Sequence, residues 1–473
     1  MSGESKTIAN LKGQLSKFSG IISKGFKKPK QRLIKEMLYG IQASKDVKLS
    51  NIARTLKEEQ PLIKTEDRLS RNLDDVDFAD GINDEICRLA SPKVTEDMVI
   101  AIDPGDIRKR YAKKMEFLQK VYDGSEKEVG NGYPLCKAVA ADIDSKKVIP
   151  LYCEAYSHSA YGVKSENDQI LKMIDTIFRH IEDRGIHAID RGGDRGVIYG
   201  KYLNKEKPQR FVIRLKDRDL IHRGKRKNCL KMAMKLPTPY ETVLIVYEDG
   251  KEKRRNVQYN AVEVKLPGYG HRLFFVVVKG FGMKPMMLLT SCNVSRHKKE
   301  SIWRIVEYYL ARWKCDESYR YIKQCYNLED IRVRSYKGIR NIVSLVLAVS
   351  YFAAVYLGEN IKLKMLVERI ILVSKRFFGV PSFFNYAVAD GIYNLLYPDK
   401  TALKGKTNNI KMLRQEWIKL DYLFYIFHIS SGSSISGLSY LSNVASHSGM
   451  SSFILSFSRS NDSSEILPLS SIN

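Results

Sequence analysis

Met98-Val99-Ile100-Ala101-Ile102-Asp103 decides the fold of this chain. An unbroken apolar run that stops at a carboxylate is the pattern of a central strand buried on both faces. A second such run follows Gly185: Ile186–Ile189 leads into Asp190-Arg191-Gly192-Gly193-Asp194-Arg195-Gly196. Between the two, 133–141 and 148–155 read as strands around the turn Asp142-Ile143-Asp144-Ser145. Ser165-Glu166-Asn167-Asp168 is a capping box, and it opens a helix carrying Ile170, Leu171, Ile174, Ile177, Phe178 and Ile181 on one face. A further strand is expected at 210–215. Strands alternating with helices predict an α/β core with parallel neighbours. If the two apolar strands are parallel neighbours, Asp103 and Asp190 lie side by side at their carboxyl ends, where sheets of this kind place function.

Outward from this core, residues 1–95 read as a helical, basic region. Lys24, Lys27, Lys28, Lys30, Arg32 and Lys35 cluster there, followed by Leu33, Met37, Leu38 and Ile41 near helical spacing. Residues 50–56, a break near Pro61, and 65–73 with Arg68 and Arg71 resemble a helix-turn-helix, which would set its second helix in a major groove. The core is expected at 96–216 and 285–340, with Met286–Leu289 returning the chain to the sheet and a long helix over 301–325. Residues 217–284 read as a β-rich insertion with basic runs at 223–227 and 251–255 and a turn at Asp249-Gly250. Residues 341–429 are expected to be helical, and 430–473 form a Ser-rich tail expected to be disordered.

Across 473 residues, Lys and Arg number 79 against 53 Asp and Glu, a net charge of +26. Such an excess points to a polyanionic partner, because each phosphate neutralised by Lys or Arg releases a counterion. The seven cysteines include no C-x-x-C pair, which argues against a disulfide framework or a zinc site and fits a reducing cytosol. Residues 342–358 are apolar over about one membrane-crossing length, but Ser344, Ser350 and two tyrosines favour a buried helix. Neither a P-loop nor a G-x-G-x-x-G follows a strand, so no nucleotide cofactor is implied.

The long helix adds a polar stripe. At about 100° per residue, Tyr309, Arg312, Asp316 and Lys323 share one face, presenting a phenol, a guanidinium, a carboxylate and an ammonium. Asp103, Asp190 and a third carboxylate from a facing helix would form an oxygen-donor site for hard divalent ions and phosphoryl transfer.

Tyr309-x-x-Arg312-x-x-x-Asp316-x-x-x-x-x-x-Lys323 resembles the Y-R-E-K signature of bacterial insertion-sequence transposases of the insertion-sequence-four type. Arg312-Trp313-Lys314-Cys315-Asp316-Glu317-Ser318-Tyr319-Arg320 is similar to the same family segment, and Asp103 and Asp190 match its other two acidic motifs in order and context. The resemblance covers about residues 20–425. It implies an RNase H-like catalytic core, a β-rich insertion between the second and third acids, and metal-dependent DNA cutting and joining. Asp103, Asp190 and Asp316 would then be the catalytic metal ligands, for Mg²⁺ or Mn²⁺. Tyr309, Arg312 and Lys323 would hold DNA phosphate near the cut, with Arg191, Arg68 and Arg71 as further DNA contacts. Partners implied are the element's inverted-repeat ends, target DNA and a second copy of the chain, with no membrane. The setting would be a bacterial cytoplasm, at the nucleoid.

One departure bears on activity: the family's third acid is Glu, whereas Asp316 is shorter by one methylene and Glu317 lies about 100° around the helix. The alternative is therefore a weakened or inactive transposase-derived protein that still binds DNA. Asp106 and Asp194 are expected in loops in supporting or solvated roles, Asp142 and Asp144 in a hairpin turn, and Asp330 paired with Arg332 or Arg334. Trp303 and Trp313 are expected in the core.

Overall fold

The computed structural model describes residues 3–123, 128–145, 147–248, 251–358, 360–374, 384–397 and 466–468. The chain divides into two compact units. The larger holds residues 1–243, 254–398 and 469–473; the smaller holds 244–253 and 399–468.

The larger unit begins with five helices: α1 Gly3–Ile22, α2 Lys28–Ser44, α3 Leu49–Leu56, α4 Leu62–Asp75 and α5 Ala79–Ala90. Leu33, Ile34, Met37, Leu38 and Ile41 form the buried face of α2, as their spacing demands. Then comes the core: β1 Val99–Arg108, β2 Gln119–Asp123, β3 Glu128–Ala141, β4 Val148–Ala155, α6 Glu166–Ile181, β5 Ile186–Ile189, α7 Gly196–Leu203 and β6 Phe211–Arg214. β1, β3 and β4 are antiparallel neighbours, while β5 joins β1 in parallel and β6 joins β5 in parallel. Ser165 caps α6 through its hydroxyl, which accepts from the Asp168 N–H at 3.2 Å.

The first apolar run extends further than its composition predicts. β1 does not stop at Asp103 but continues through Pro104-Gly105-Asp106 to Arg108. The reason is β3, which stays paired as far as Arg108 opposite Gly132. There a Cβ on Gly132 would lie 2.3 Å from the Ile107 carbonyl oxygen, so the close passage of the strands requires glycine. Asp103 is consequently mid-strand against β3, although the parallel pairing with β5 ends one residue before it.

Residues 217–284 contain β7 Asp219–His222, β8 Lys225–Asn228, α8 Cys229–Lys235, β9 Tyr240–Glu248, β10 Lys251–Val264 and β11 Leu273–Lys279, followed by β12 Met286–Thr290. β12 pairs with β6 and β11 with β12, both antiparallel, so these strands lengthen the core sheet. Asp194 secures the start of this segment. Its side chain, 2% exposed, is paired with Arg218 and accepts from the Lys216 N–H at 2.7 Å and the Tyr199 hydroxyl at 3.1 Å, so it is neither loose nor solvated.

The helix expected over 301–325 is two helices, α9 Lys299–Leu310 and α10 Trp313–Cys325. At the joint, the N–H groups of Arg312, Lys314 and Cys315 bond to carbonyls three residues back, at 3.1, 3.1 and 2.9 Å, which overwinds the chain. Ala311 and Cys315 are thereby packed on Val99, Ala101, Val139 and Ala188 of the sheet.

The apolar stretch after residue 335 is α11 Tyr336–Tyr351, continued by a π-helical turn, Phe352–Leu357. By length and composition it could cross a membrane, yet 94% of its most apolar window is buried inside the protein. Asn341, fully buried, explains part of that placement. Its amide donates to the Leu73 and Val76 carbonyls at 2.8 and 2.9 Å and accepts from the Phe78 N–H at 2.8 Å, tying α11 to the α4–α5 junction. Asp330 pairs with Lys48 of the N-terminal region rather than with Arg332 or Arg334, because Asn327, in a left-handed turn, directs the chain back toward residue 46. α12 Lys364–Leu372 and α13 Phe384–Leu396 follow. The rest of the helical expectation, 398–429, lies outside the described residues.

In the smaller unit, β13 Ile466–Pro468 runs parallel to β9, with Ile466 opposite Ile245 and Pro468 opposite Tyr247. These three residues are strand where a disordered tail was expected; 430–465 and 469–473 lie outside the described residues.

Candidate active site

Ile102 of β1 and Ile189 of β5 are register partners in the parallel pair, so Asp103 and Asp190 leave adjacent strands at the same level. On its other side β1 places Asp103 opposite Lys137 of β3. Directly opposed residues of an antiparallel pair share a face, with Cβ atoms about 5 Å apart. The result is a contact of 3.0 Å between Lys137 Nζ and Asp103 Oδ2.

The α9–α10 joint brings in the remaining groups. One guanidinium nitrogen of Arg312 lies 3.1 Å from Asp103 Oδ1 and 3.3 Å from Asp316 Oδ2. Lys137 Nζ reaches the other Asp316 oxygen at 3.7 Å. Two carboxylates and two cations thus close a ring. Lys137 and Arg312 are buried and Asp316 is 40% exposed, so the ring opens to solvent on the Asp316 side. Lys137 also lies 4.0 Å above the ring of Tyr319, whose hydroxyl donates to the Asp106 carbonyl.

The electrostatics divide the two acids. Burial works against the Asp103 carboxylate, but Lys137 and Arg312 outweigh it and hold Asp103 below the ordinary aspartate range. Burial, together with the charge of Asp103, pushes Asp316 up to about 6. Lys137 is itself held above the usual lysine range: burial opposes its charge, but Asp103 overcomes this. Arg312 is raised by Asp103, Tyr309, Asp316 and Asp190 against the cost of burial, so all three acids converge electrostatically on one guanidinium.

Asp190 caps the short turn Arg191–Gly193, its Oδ1 accepting from the Gly192 N–H at 2.7 Å. Arg191 is exposed, and burial of part of its side chain plus the neighbouring Arg214 draw its guanidinium down. Arg214 donates to the buried Tyr309 hydroxyl at 3.5 Å. Lys323 pairs with Glu329 at 2.7 Å and lies 4.8 Å from the Tyr319 ring. Asp103, Asp190, Arg312 and Asp316 are therefore brought together, with Tyr309 and Lys323 at the margins.

Arg68 and Arg71 belong elsewhere. Arg68 is clamped by Glu36 and Glu58, each at 2.7 Å, and braces α2 against α4; Arg71 is exposed and bonds the Asp67 carbonyl at 3.4 Å. Asp142 and Asp144 do form the β3–β4 turn, where Asp144 pairs with Arg304 at 3.0 Å. Trp303 and Trp313 are half-buried, packed on Tyr259 and Phe281.

Sequence reasoning missed three features. Lys137 has a signal, a lone cation in the apolar run Leu135-Cys136-Lys137-Ala138-Val139, but its partner depends on strand register. Tyr319 and Arg214 carry none. The third is the loop after β1, where Arg110, Tyr111, Lys113 and Lys114 are exposed and Tyr111 reaches 91%. Lys109 anchors that loop by donating to the Glu329 and Ile331 carbonyls, the latter at 2.7 Å.

A hard divalent ion takes oxygen donors, which three aspartates can supply. Their present arrangement does not fit one. Each Asp103 oxygen is engaged by a cationic side chain, and among the described residues no three His, Cys, Asp or Glu side chains are grouped so as to hold a metal.

No protein-family model matches the chain, and no curated protein matches it. Among solved structures it is similar to the piggyBac transposase in a synaptic complex with hairpin DNA, at 12% identity and a TM-score of 0.39, over 86% of this chain and 88% of that one. A likeness at that score carries no argument about activity.

Proposed function

We propose that the chain is a DNA transposase of the DDE type, with Asp103, Asp190 and Asp316 as its acidic triad on an RNase H-like core. The observation that carries this reading is the convergence of the three acids on Arg312 from three separate elements. The strand arrangement supports it too: an antiparallel meander extended in parallel by β5 and β6, with a β-rich segment between Asp190 and Asp316. The match to the Y-R-E-K spacing adds the insertion-sequence-four type. In this reading two copies of the chain would hold two inverted-repeat ends. Arg312 and Lys323 would take DNA phosphate beside the acids, and the exposed cations of the β1–β2 loop and the β7–β8 hairpin would hold flanking phosphates. A protein of this kind works at the bacterial nucleoid.

The reading carries a requirement for Mg²⁺, or Mn²⁺ in its place, as the source of nucleophile activation and charge neutralisation. The decisive assay is cleavage of DNA carrying the repeats that bound the gene. Asp103→Asn and Asp190→Asn should each abolish cutting while leaving end binding within about twofold, since neither touches the flanking basic surface. Full cleavage by either variant removes that residue from the triad.

A second reading, a transposase-derived protein that binds DNA without cutting it, is favoured by one observation. Asp stands where the family has Glu, and its charge is already met by Arg312 and Lys137. End binding without nicking at any divalent metal concentration would establish it.

A further inference from the structure

We infer that Lys137 and Arg312 are built-in counter-ions that occupy the place of a divalent metal between Asp103 and Asp316, and that bound DNA phosphate draws them off and so opens the acids to the metal. The inference rests on the transposase reading for the identity of the anion.

The position of Lys137 is dictated by the backbone. Its Cα partner in β3–β1 pairing is Asp103, and its side chain is 7% exposed. The ammonium therefore cannot swing away into solvent as a surface lysine does. It bridges both acids, at 3.0 Å to Asp103 and 3.7 Å to Asp316, while Arg312 bridges the same two from the other side at 3.1 and 3.3 Å. Every oxygen that Asp103 could offer a metal faces one of these cations. Two carboxylates this close repel unless a cation lies between them, and here the protein supplies that cation itself.

Release is also provided for. Tyr319 gives the Lys137 ammonium an aromatic face 4.0 Å away, so the lysine has an attractive contact that does not involve either acid. Asp316, the most exposed member of the ring, marks the side from which a phosphate would approach. A phosphodiester offers Arg312 a bidentate partner in exchange for its single-nitrogen contacts with the two aspartates. Metal and DNA must then bind cooperatively, each raising the affinity of the other by the same factor.

The test is Mn²⁺ binding to the full-length protein, followed by the electron paramagnetic resonance signal of the free ion, with and without a duplex carrying a repeat end. The wild-type protein without DNA should bind Mn²⁺ weakly. Lys137→Gln should tighten binding roughly tenfold or more, because it removes a positive charge adjacent to the ligands. Lys137→Arg should bind as the wild type does. Saturating duplex should tighten wild-type binding by at least the same roughly tenfold factor and have a smaller effect on Lys137→Gln. Equal Mn²⁺ affinity in folded Lys137→Gln and wild type overturns the inference. If Lys137→Gln does not fold, the duplex arm decides: wild-type affinity unmoved by DNA overturns it equally. Cleavage is scored separately in the same samples. Tighter Mn²⁺ binding by Lys137→Gln with no cutting by any form removes the proposed function and leaves the counter-ion role. Cutting by the wild type with unchanged Mn²⁺ affinity does the reverse.

Discussion

The core sheet carries buried charge on both faces, and the two clusters are put to different use. Lys137 and Glu154 lie on neighbouring strands, but Lys137 is opposite Cys153 while Glu154 is opposite Cys136, so alternation sends them to opposite sides. On one side Glu154, 4% exposed, is paired with Arg340 of α11 and Lys172 of α6, and both cations reach on to Asp80 of α5 at 2.9 and 2.7 Å. That cluster joins three helices to β4. On the other side, the ring of Asp103, Lys137, Arg312 and Asp316 draws on one joint and two strands, and it leaves one acid with a raised pKa at an opening to solvent. Burial of charge alone does not mark a working site; a carboxylate displaced from its ordinary range beside an opening is the better sign.

The comparison predicts unequal costs when each cluster loses its arginine. Arg340→Met leaves Glu154 and Asp77 short of their cation, with no solvent route for Glu154, and should cost about 3–5 kcal/mol in chemical denaturation. Arg312→Met should cost less, about 1–2 kcal/mol, because Asp316 can take up a proton through its exposed side and Lys137 remains with Asp103. If the two losses prove equal, the distinction between a welding cluster and a working one fails.

That distinction was only half visible in the sequence. The apolar runs ending at Asp103 and Asp190 are local patterns, and local patterns survive folding: both are strands, parallel and in register. The Arg312–Asp316 spacing was legible for the same reason. Lys137 was not, since its pairing with Asp103 arises from hairpin register, which no short spacing encodes. Pro104-Gly105 reads as a strand terminator, yet the long β3 partner carries the strand through it. The break at Ala311 has neither Gly nor Pro behind it; it comes from packing Ala311 and Cys315 onto the sheet while Arg312 reaches Asp103. The Glu154 cluster draws on residues 77, 80, 172 and 340, which only tertiary structure unites.

The raised carboxylate gives the ring a pH signature. Asp316 keeps its proton in the fold up to about pH 6, against an ordinary value of 3.8. Its ionised form therefore costs stability above pH 6, and the cost disappears as pH falls through 6 toward 4. Asp103, with its pKa lowered, behaves oppositely: its contribution holds above the ordinary aspartate range and is lost below it. Asp316→Asn should thus stabilise the protein at pH 8 by about 1 kcal/mol, a figure reduced for screening at this partly exposed group, and by nothing near pH 4. A difference that is flat from pH 8 to pH 4 in thermal unfolding would mean that Asp316 is not strained by Asp103.

The smallest effect belongs to the edge of the same face. Arg304 of α9 clasps Asp144 in the β3–β4 turn at 3.0 and 3.1 Å, and Glu307 at 3.1 Å. Asp144 is 75% exposed, so water competes for the pair and Arg304→Ala should cost no more than about 0.5–1 kcal/mol. The turn does not depend on Arg304, because Lys314 of α10 donates to the Asp142 carbonyl and, at 2.7 Å, to that of Ser145. Those bonds hold the turn to the residue two positions before Asp316 whether or not Arg304 is present. Arg304→Ala should accordingly leave the pH profile of Asp316 unchanged. If instead that profile moved, the ring would be sensitive to the whole α9–α10 joint rather than to its four charged members.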